Sequence, residues 1–158
     1  ACLIDYNHAF FIQGCLKTGK PTHFIFLETN TMIYGIGTDI VTVSRIGKMC
    51  KTYGANAVAD KILSRIEYLE WPSASNPVLF LAKRFAAKEA FSKAVHTGLR
   101  SPVTLRNIGI GHDELGRPEF ILETPLQQWL QQKGIGKVHL SLSDEGDQIL
   151  AFAIAAKS

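Results

Sequence analysis

One segment limits what this chain can fold into more than any other: Ile33-Tyr34-Gly35-Ile36-Gly37-Thr38-Asp39-Ile40-Val41. β-Branched residues dominate it, which favours an extended strand. Glycine recurs at alternate positions, 35 and 37, so part of this strand has no side chains to pack. Such a strand lets another backbone or a ligand come close. The rest of the fold has to supply that neighbour.

The following residues alternate between helical stripes and strands. Residues 43–53 place Val43, Ile46, Met49 and Cys50 at helical spacing, with Gly54 as a stop and Ser44 placed to help cap the start. Residues 55–68 read as one or two short helices, with Ser64 and Glu67 spaced as a capping box. The run Trp71-Pro72-Ser73-Ala74-Ser75-Asn76-Pro77 is a break. Residues 78–95 form the longest predicted helix, rich in Ala, Leu, Lys and Phe, with Pro77 in its first turn and Gly98 beyond its end. Strands at 107–112 and 118–123 flank an Asp113–Arg117 turn. A helix at 126–133 stops at Gly134, and strands at 137–143 and 148–156 close a hairpin. The order β-α-α-α-β-β-α-β-β implies an α+β domain whose largely antiparallel sheet packs with the long helix.

Composition excludes several classes. With 46% hydrophobic and 20% charged residues the chain is not predominantly disordered. Its apolar runs fall far short of the roughly 20 residues that span a bilayer, so no membrane role is expected. Cys2, Cys15 and Cys50 form no CxxC pair and no disulfide framework, which fits a reducing compartment. Residues 1–31 stand apart. They precede Met32, the first methionine, and balance Asp5 and Glu28 against Lys17 and Lys20, so the net charge of +3 arises after them. They lack the basic start and apolar stretch of a signal peptide. The expectation is an N-terminal extension over 1–31 that is not part of the native protein, followed by a functional domain over 32–158.

The long helix carries the most chemical information. Leu79, Phe80, Ala86, Ala87, Ala90, Phe91 and Ala94 fall on one arc, a core face. Arg84, Lys88, Ser92, Glu89 and Lys93 share the other arc with Leu81 and Phe85, so that arc is expected to meet a ligand, another subunit or the sheet. Between residues 83 and 106 stand Lys83, Arg84, Lys88, Lys93, Arg100 and Arg106 against the single acid Glu89. This is either a solvated basic face or a polyanion site. Glu89 is either a helical partner of Lys93 or a metal ligand, and Asp39 either caps the next helix or joins Glu89. Two carboxylates beside several bases fit a Mg²⁺-bridged pyrophosphate. Mg²⁺ sites that handle phosphate take one or two protein carboxylates and fill the rest with phosphate oxygens and water.

The pair Gly35-Ile36-Gly37-Thr38-Asp39-Ile40-Val41 and Phe85-Ala86-Ala87-Lys88-Glu89-Ala90, about 45 residues apart, resembles the holo-acyl-carrier-protein synthases, bacterial 4′-phosphopantetheinyl transferases. Ile62-Leu63-Ser64 with Glu67, Phe80-Leu81-Ala82-Lys83-Arg84, the turn Asp113-Glu114-Leu115-Gly116-Arg117-Pro118, and His139-Leu140-Ser141-Leu142-Ser143-Asp144-Glu145 agree, from Met32 to the C-terminus. The resemblance implies the 4′-phosphopantetheinyl transferase fold. It also implies transfer of phosphopantetheine from coenzyme A to a serine of apo acyl carrier protein, releasing adenosine 3′,5′-bisphosphate in fatty acid synthesis.

By motif match, Asp39 and Glu89 would hold Mg²⁺. Arg84, Lys88 and Lys93 would lie along the phosphates, and His139 would lie near the nucleotide. Glu89, through a bound water, would take the serine proton, and Lys93 would stabilise the leaving phosphate. Arg45 and Met49 match the helix that docks the acidic carrier protein, with Lys48 and Lys51 adding charge. A homotrimer with active sites at subunit boundaries, in the cytoplasm, is the implied assembly, and it would account for Leu81 and Phe85. One departure is His96-Thr97-Gly98 where Gly-Thr-Gly is common, which leaves the backbone after the long helix open. The Ser143–Asp147 turn is acidic, a second departure. A nucleic-acid or polyanion-binding module and a Mg²⁺-dependent phosphohydrolase remain as alternatives. The first lacks aromatic residues interleaved with the bases, and no nucleic-acid partner is expected.

Overall fold

The computed structural model describes residues 32–158, so the expectation for residues 1–31 lies outside the described residues. Five strands form one sheet: β1 (Ile33–Thr42), β2 (Ile108–His112), β3 (Pro118–Leu122), β4 (Ile135–Glu145) and β5 (Gln148–Lys157). Their order is β1-β5-β4-β3-β2, and every neighbouring pair is antiparallel. The helices are α1 (Val43–Tyr53), α2 (Ala55–Ile62), α3 (Arg65–Glu70), α4 (Pro77–Ala94) and α5 (Thr124–Gln132), with a 3₁₀ turn at Trp71–Ser73. Residues 55–68 thus resolve into two helices. The α+β class and the antiparallel sheet are as expected.

One face of the sheet builds the core. Along β5, Ile149, Ala151, Ala153 and Ala155 are buried while Leu150 and Phe152 are exposed, the period-2 alternation of a strand covered on one side. The covering element is α4, which packs on β1 and β5. Small residues on both surfaces, Ala86, Ala90 and Ala94 against Ala151, Ala153 and Ala155, allow a close approach.

The helix is not amphipathic in the way its sequence implies. Arg84, Lys88, Ser92 and Leu81 are buried alongside Ala86 and Phe91. The reason is that α1, α2 and β2 also pack against α4, so both of its faces are enclosed within one chain. Leu81 has no exposed surface and needs no subunit boundary to account for it. Phe85 is half-buried.

Two helix ends differ from expectation. Thr42 is the N-cap of α1. Ser44 instead donates from its backbone N and its Oγ to the carboxylate of Asp147, at 2.8 and 2.6 Å, while Val43 N reaches the Asp147 carbonyl. An acid in the β4–β5 turn therefore satisfies the orphan amide of a helix 103 residues away in sequence. At the other end of the domain, α4 ends at Ala94 and His96 takes a left-handed φ of 60°. Its ring rests near Tyr34 at 5.6 Å between centroids, which holds a conformation that glycine would adopt without cost. The Ser64–Glu67 capping box at the start of α3 is present.

Candidate active site

The site starts from two glycines. A Cβ at Gly35 would collide with the carbonyl oxygen of Ala94, and a Cβ at Gly37 with the carbonyl oxygen of Ala90 and the amide of Ala94. The missing side chains therefore let β1 lie backbone-to-backbone along the C-terminal half of α4. Asp39 follows on the same strand face as Gly37, because residues two apart share a face. It arrives beside Glu89 and Lys93.

Lys93 Nζ donates to Asp39 Oδ1 and to the Thr38 carbonyl oxygen, each at 2.8 Å. Its ion pair is thus across the strand–helix junction. Glu89 is the second carboxylate. Burial first, and then the Asp39 charge, push Glu89 above the ordinary carboxylate range, against the pull of Lys93, Ser92 and Arg45. The charges of Asp39, Glu89, Lys93 and Arg45 therefore act on one another at a single place.

No group of three or more His, Cys, Asp or Glu side chains that could hold a metal ion occurs among the described residues. The donor set at Asp39 and Glu89 still fits Mg²⁺. Two hard carboxylate oxygens that repel each other leave the remaining positions to phosphate oxygens and water.

Lys88, the immediate neighbour of Glu89, goes elsewhere, and this corrects the expectation that it lies along the phosphates. Its Nζ is fully buried and donates to Glu67 Oε2 and the Ile62 carbonyl at 2.6 Å, and to the Leu105 carbonyl at 2.9 Å. All three of its donors are used inside the protein. Burial lowers Lys88 to about 8, opposed by Glu67.

Glu67, a cap and part of the family pattern in the sequence, is the site-network residue that sequence reasoning misses. Its carboxylate also accepts from Ser64 N at 2.7 Å, Ser64 Oγ at 2.9 Å and Ile110 N at 3.1 Å. A capping glutamate has no local signal that a lysine 21 residues later will join it. Arg84 is part of the same network. Its Nε lies 3.4 Å from Glu67 Oε1, its Nη2 donates to Glu70 at 3.0 Å, and its guanidinium sits 4.3 Å from the Phe80 ring centre. Arg84 also edges a cleft of about 400 Å³ with Asn76 and Lys83, which does not include Asp39 or Glu89.

His139 is not with the carboxylates. It lies on β4, opposite Ile154, which in turn lies opposite Ile36. That row faces away from α4, so His139 is exposed on the outer side of the sheet. On α1, Arg45 is exposed, whereas Met49 is half-buried and packs against the core.

A five-stranded antiparallel sheet packed on α4 brings Asp39, Glu89 and Lys93 together at the strand–helix junction, a set of groups suited to phosphate chemistry. The chain belongs to the 4′-phosphopantetheinyl transferase superfamily, whose family model matches residues 35–153. It is 59% identical over 126 residues to the holo-[acyl-carrier-protein] synthase of Neisseria meningitidis, covering 80% of this chain and all of that protein. A crystal structure of a holo-[acyl-carrier-protein] synthase from that species superposes with a TM-score of 0.78 at 58% identity, over 80% of this chain and 100% of the other. The Bacillus anthracis holo-(acyl-carrier-protein) synthase, solved in complex with CoA (3′,5′-ADP), superposes with a TM-score of 0.66 at 33% identity, over 80% and 99%.

Proposed function

We propose that the protein transfers the 4′-phosphopantetheine group of coenzyme A to a serine hydroxyl of apo acyl carrier protein. The serine oxygen bonds to the phosphorus, the pyrophosphate P–O bond breaks, and adenosine 3′,5′-bisphosphate leaves. One observation carries the reading: the Neisseria meningitidis synthase is matched along its whole length at 59% identity. Holo-acyl carrier protein is the form used in fatty acid biosynthesis, so the reaction supplies that process.

The junction of β1 and α4 supports the following residue roles. Asp39 and Glu89 would hold Mg²⁺, which would supply charge neutralisation and polarisation of phosphoryl oxygens. Lys93 stabilises negative charge on the leaving phosphate. Glu89, held above the ordinary carboxylate range, is suited to receive the serine proton through a bound water. Arg84, paired with Glu67 and Glu70, would have to leave Glu70 to reach the phosphates. Exposed Arg45 leads the docking of the acidic carrier protein, with Met49 as its apolar neighbour.

A homotrimer fits the outer face of the sheet. There Ile36, Ile40, Leu150 and Phe152 are 53%, 63%, 43% and 37% exposed. Strand register puts Ile40 opposite Leu150 and Thr38 opposite Phe152, so the patch is continuous. Continuous exposed apolar surface marks an interface. His139 edges this patch, and subunit contact there would bring it to a boundary site. No described helix is long and apolar enough to cross a membrane, and we assign the enzyme to the cytoplasm.

The test is mass spectrometry of apo acyl carrier protein incubated with the protein, coenzyme A and Mg²⁺. The expected result is a gain of one phosphopantetheine. Folded protein that gives no gain overturns the reading.

A further inference from the structure

Lys93 holds a position that its proposed role on the leaving phosphate does not explain. Its Nζ binds one carboxylate oxygen, Asp39 Oδ1, and one carbonyl oxygen, Thr38 O, both at 2.8 Å. Hard oxygens of these two kinds are what a small divalent cation takes from a protein. The ammonium therefore sits on the donors that the cation would use.

We infer that Lys93 is a resident counter-ion of the Asp39–Glu89 pair, which it must leave for a divalent cation to bind. The inference rests on the reading of that pair as the metal site. Gly37 makes the arrangement possible, because a Cβ on residue 37 would come within 2.9 Å of Lys93 Cβ and block its path across the strand. The lysine is also free to depart. Its side chain is 51% exposed while that of Asp39 is 16% exposed, so the ammonium leaves from the solvent side. A flexible four-carbon stem lets it swing without moving α4. Exposed ion pairs of this kind are weak, so exchange costs little.

The exchange has a chemical consequence. Without the cation, Lys93 limits the repulsion between the two carboxylates. When the cation takes Asp39, Lys93 is released beside the carboxylate pair, where the proposed pyrophosphate would bind. Cation loading and delivery of the lysine to the leaving group then become one event.

The test measures Mn²⁺ affinity by electron paramagnetic resonance, with coenzyme A absent. Lys93→Met should tighten Mn²⁺ binding about fivefold, the scale of one exposed ion-pair competitor. Lys93→Arg, which keeps the charge, should bind like the unaltered protein. Lys83→Met removes one positive charge from the same helix at its pair with Asp144 and should change affinity less than about twofold. Unchanged or weaker binding in Lys93→Met overturns the exchange, and so does equal tightening in Lys83→Met. Asp39→Asn separates the two ideas: if it leaves Mn²⁺ affinity unaltered, the carboxylate-pair site itself is refuted. If it weakens binding while Lys93→Met does nothing, only the exchange falls.

Discussion

Lys88 Nζ lies 2.6 Å from Glu67 Oε2, and neither side chain has any exposed surface. The pair joins α3 to α4, and Ile110 N ties the same carboxylate to β2. Buried ion pairs add little net stability compared with apolar residues of similar size, but losing one partner leaves a charge unpaired. Lys88→Met or Glu67→Gln alone should therefore cost about 3–5 kcal/mol. The double variant should cost clearly less than the sum of the two. Urea melts of the four proteins check this, and additive losses would mean the pair is not coupled.

Gly37→Ala should be among the most damaging small substitutions. The added methyl meets backbone of α4 at Ala90 and Ala94, which cannot rotate aside. A cost of about 3 kcal/mol, the upper end of ordinary overpacking, is expected. Transfer activity should fall even in protein that remains folded, because Asp39 moves away from Glu89. Calorimetry with a transfer assay at a temperature well below melting separates the two effects.

Glu89 titrates above its unfolded-state value because of burial and Asp39. The sign follows directly. Between the unfolded and folded values the folded state binds more protons, so stability falls as pH rises through that window. Above it the penalty for ionised Glu89 is fully present. Glu89→Gln should therefore raise the Tm of metal-free protein slightly at pH 7, with the gain shrinking toward pH 4. Thermal melts in chelator at the two pH values decide it, and an equal change at both would refute the assignment.

Arg45→Glu reverses a charge on the exposed side of α1. If this helix meets an acidic carrier protein, KM for that protein should rise at low salt with kcat little changed. The difference should narrow as ionic strength rises, since exposed charges are screened over about 10 Å at 0.1 M salt. An unchanged KM at low salt would remove α1 from the docking surface.

Phe152→Glu puts a charge in the middle of the outer apolar face of the sheet. Multi-angle light scattering should give the mass of three chains for the unaltered protein and one chain for the variant. A variant of unchanged mass would place the assembly surface elsewhere.

The elements that local signals specify were legible. Glycines 35 and 37 announced a close neighbour, and the capping box, the proline at the start of α4 and the turn before β5 stood where the sequence placed them. What failed depends on long-range packing. The charged arc of α4 reads as a face that meets a ligand, a subunit or the sheet, and nothing local shows that α1, α2 and β2 cover it or that Glu67 of α3 pairs with Lys88 there. Asp147 reads as a turn acid, yet it satisfies α1. His139 lies on the opposite side of the sheet from Asp39, so it can serve a nucleotide only at a boundary with another subunit, which no pattern within one chain announces.

The main-chain contact between β1 and α4 has a consequence for how the protein can vary. The separation of Asp39 from Glu89 is set by backbone resting on backbone at Gly35 and Gly37, with no side chain between them. Exchanges among Ile, Val, Leu and Phe elsewhere in the core can alter stability without transmitting a shift to the carboxylates. The geometry of the carboxylate pair is thus insulated from neutral drift in the interior, and two hydrogen atoms in place of side chains provide that insulation.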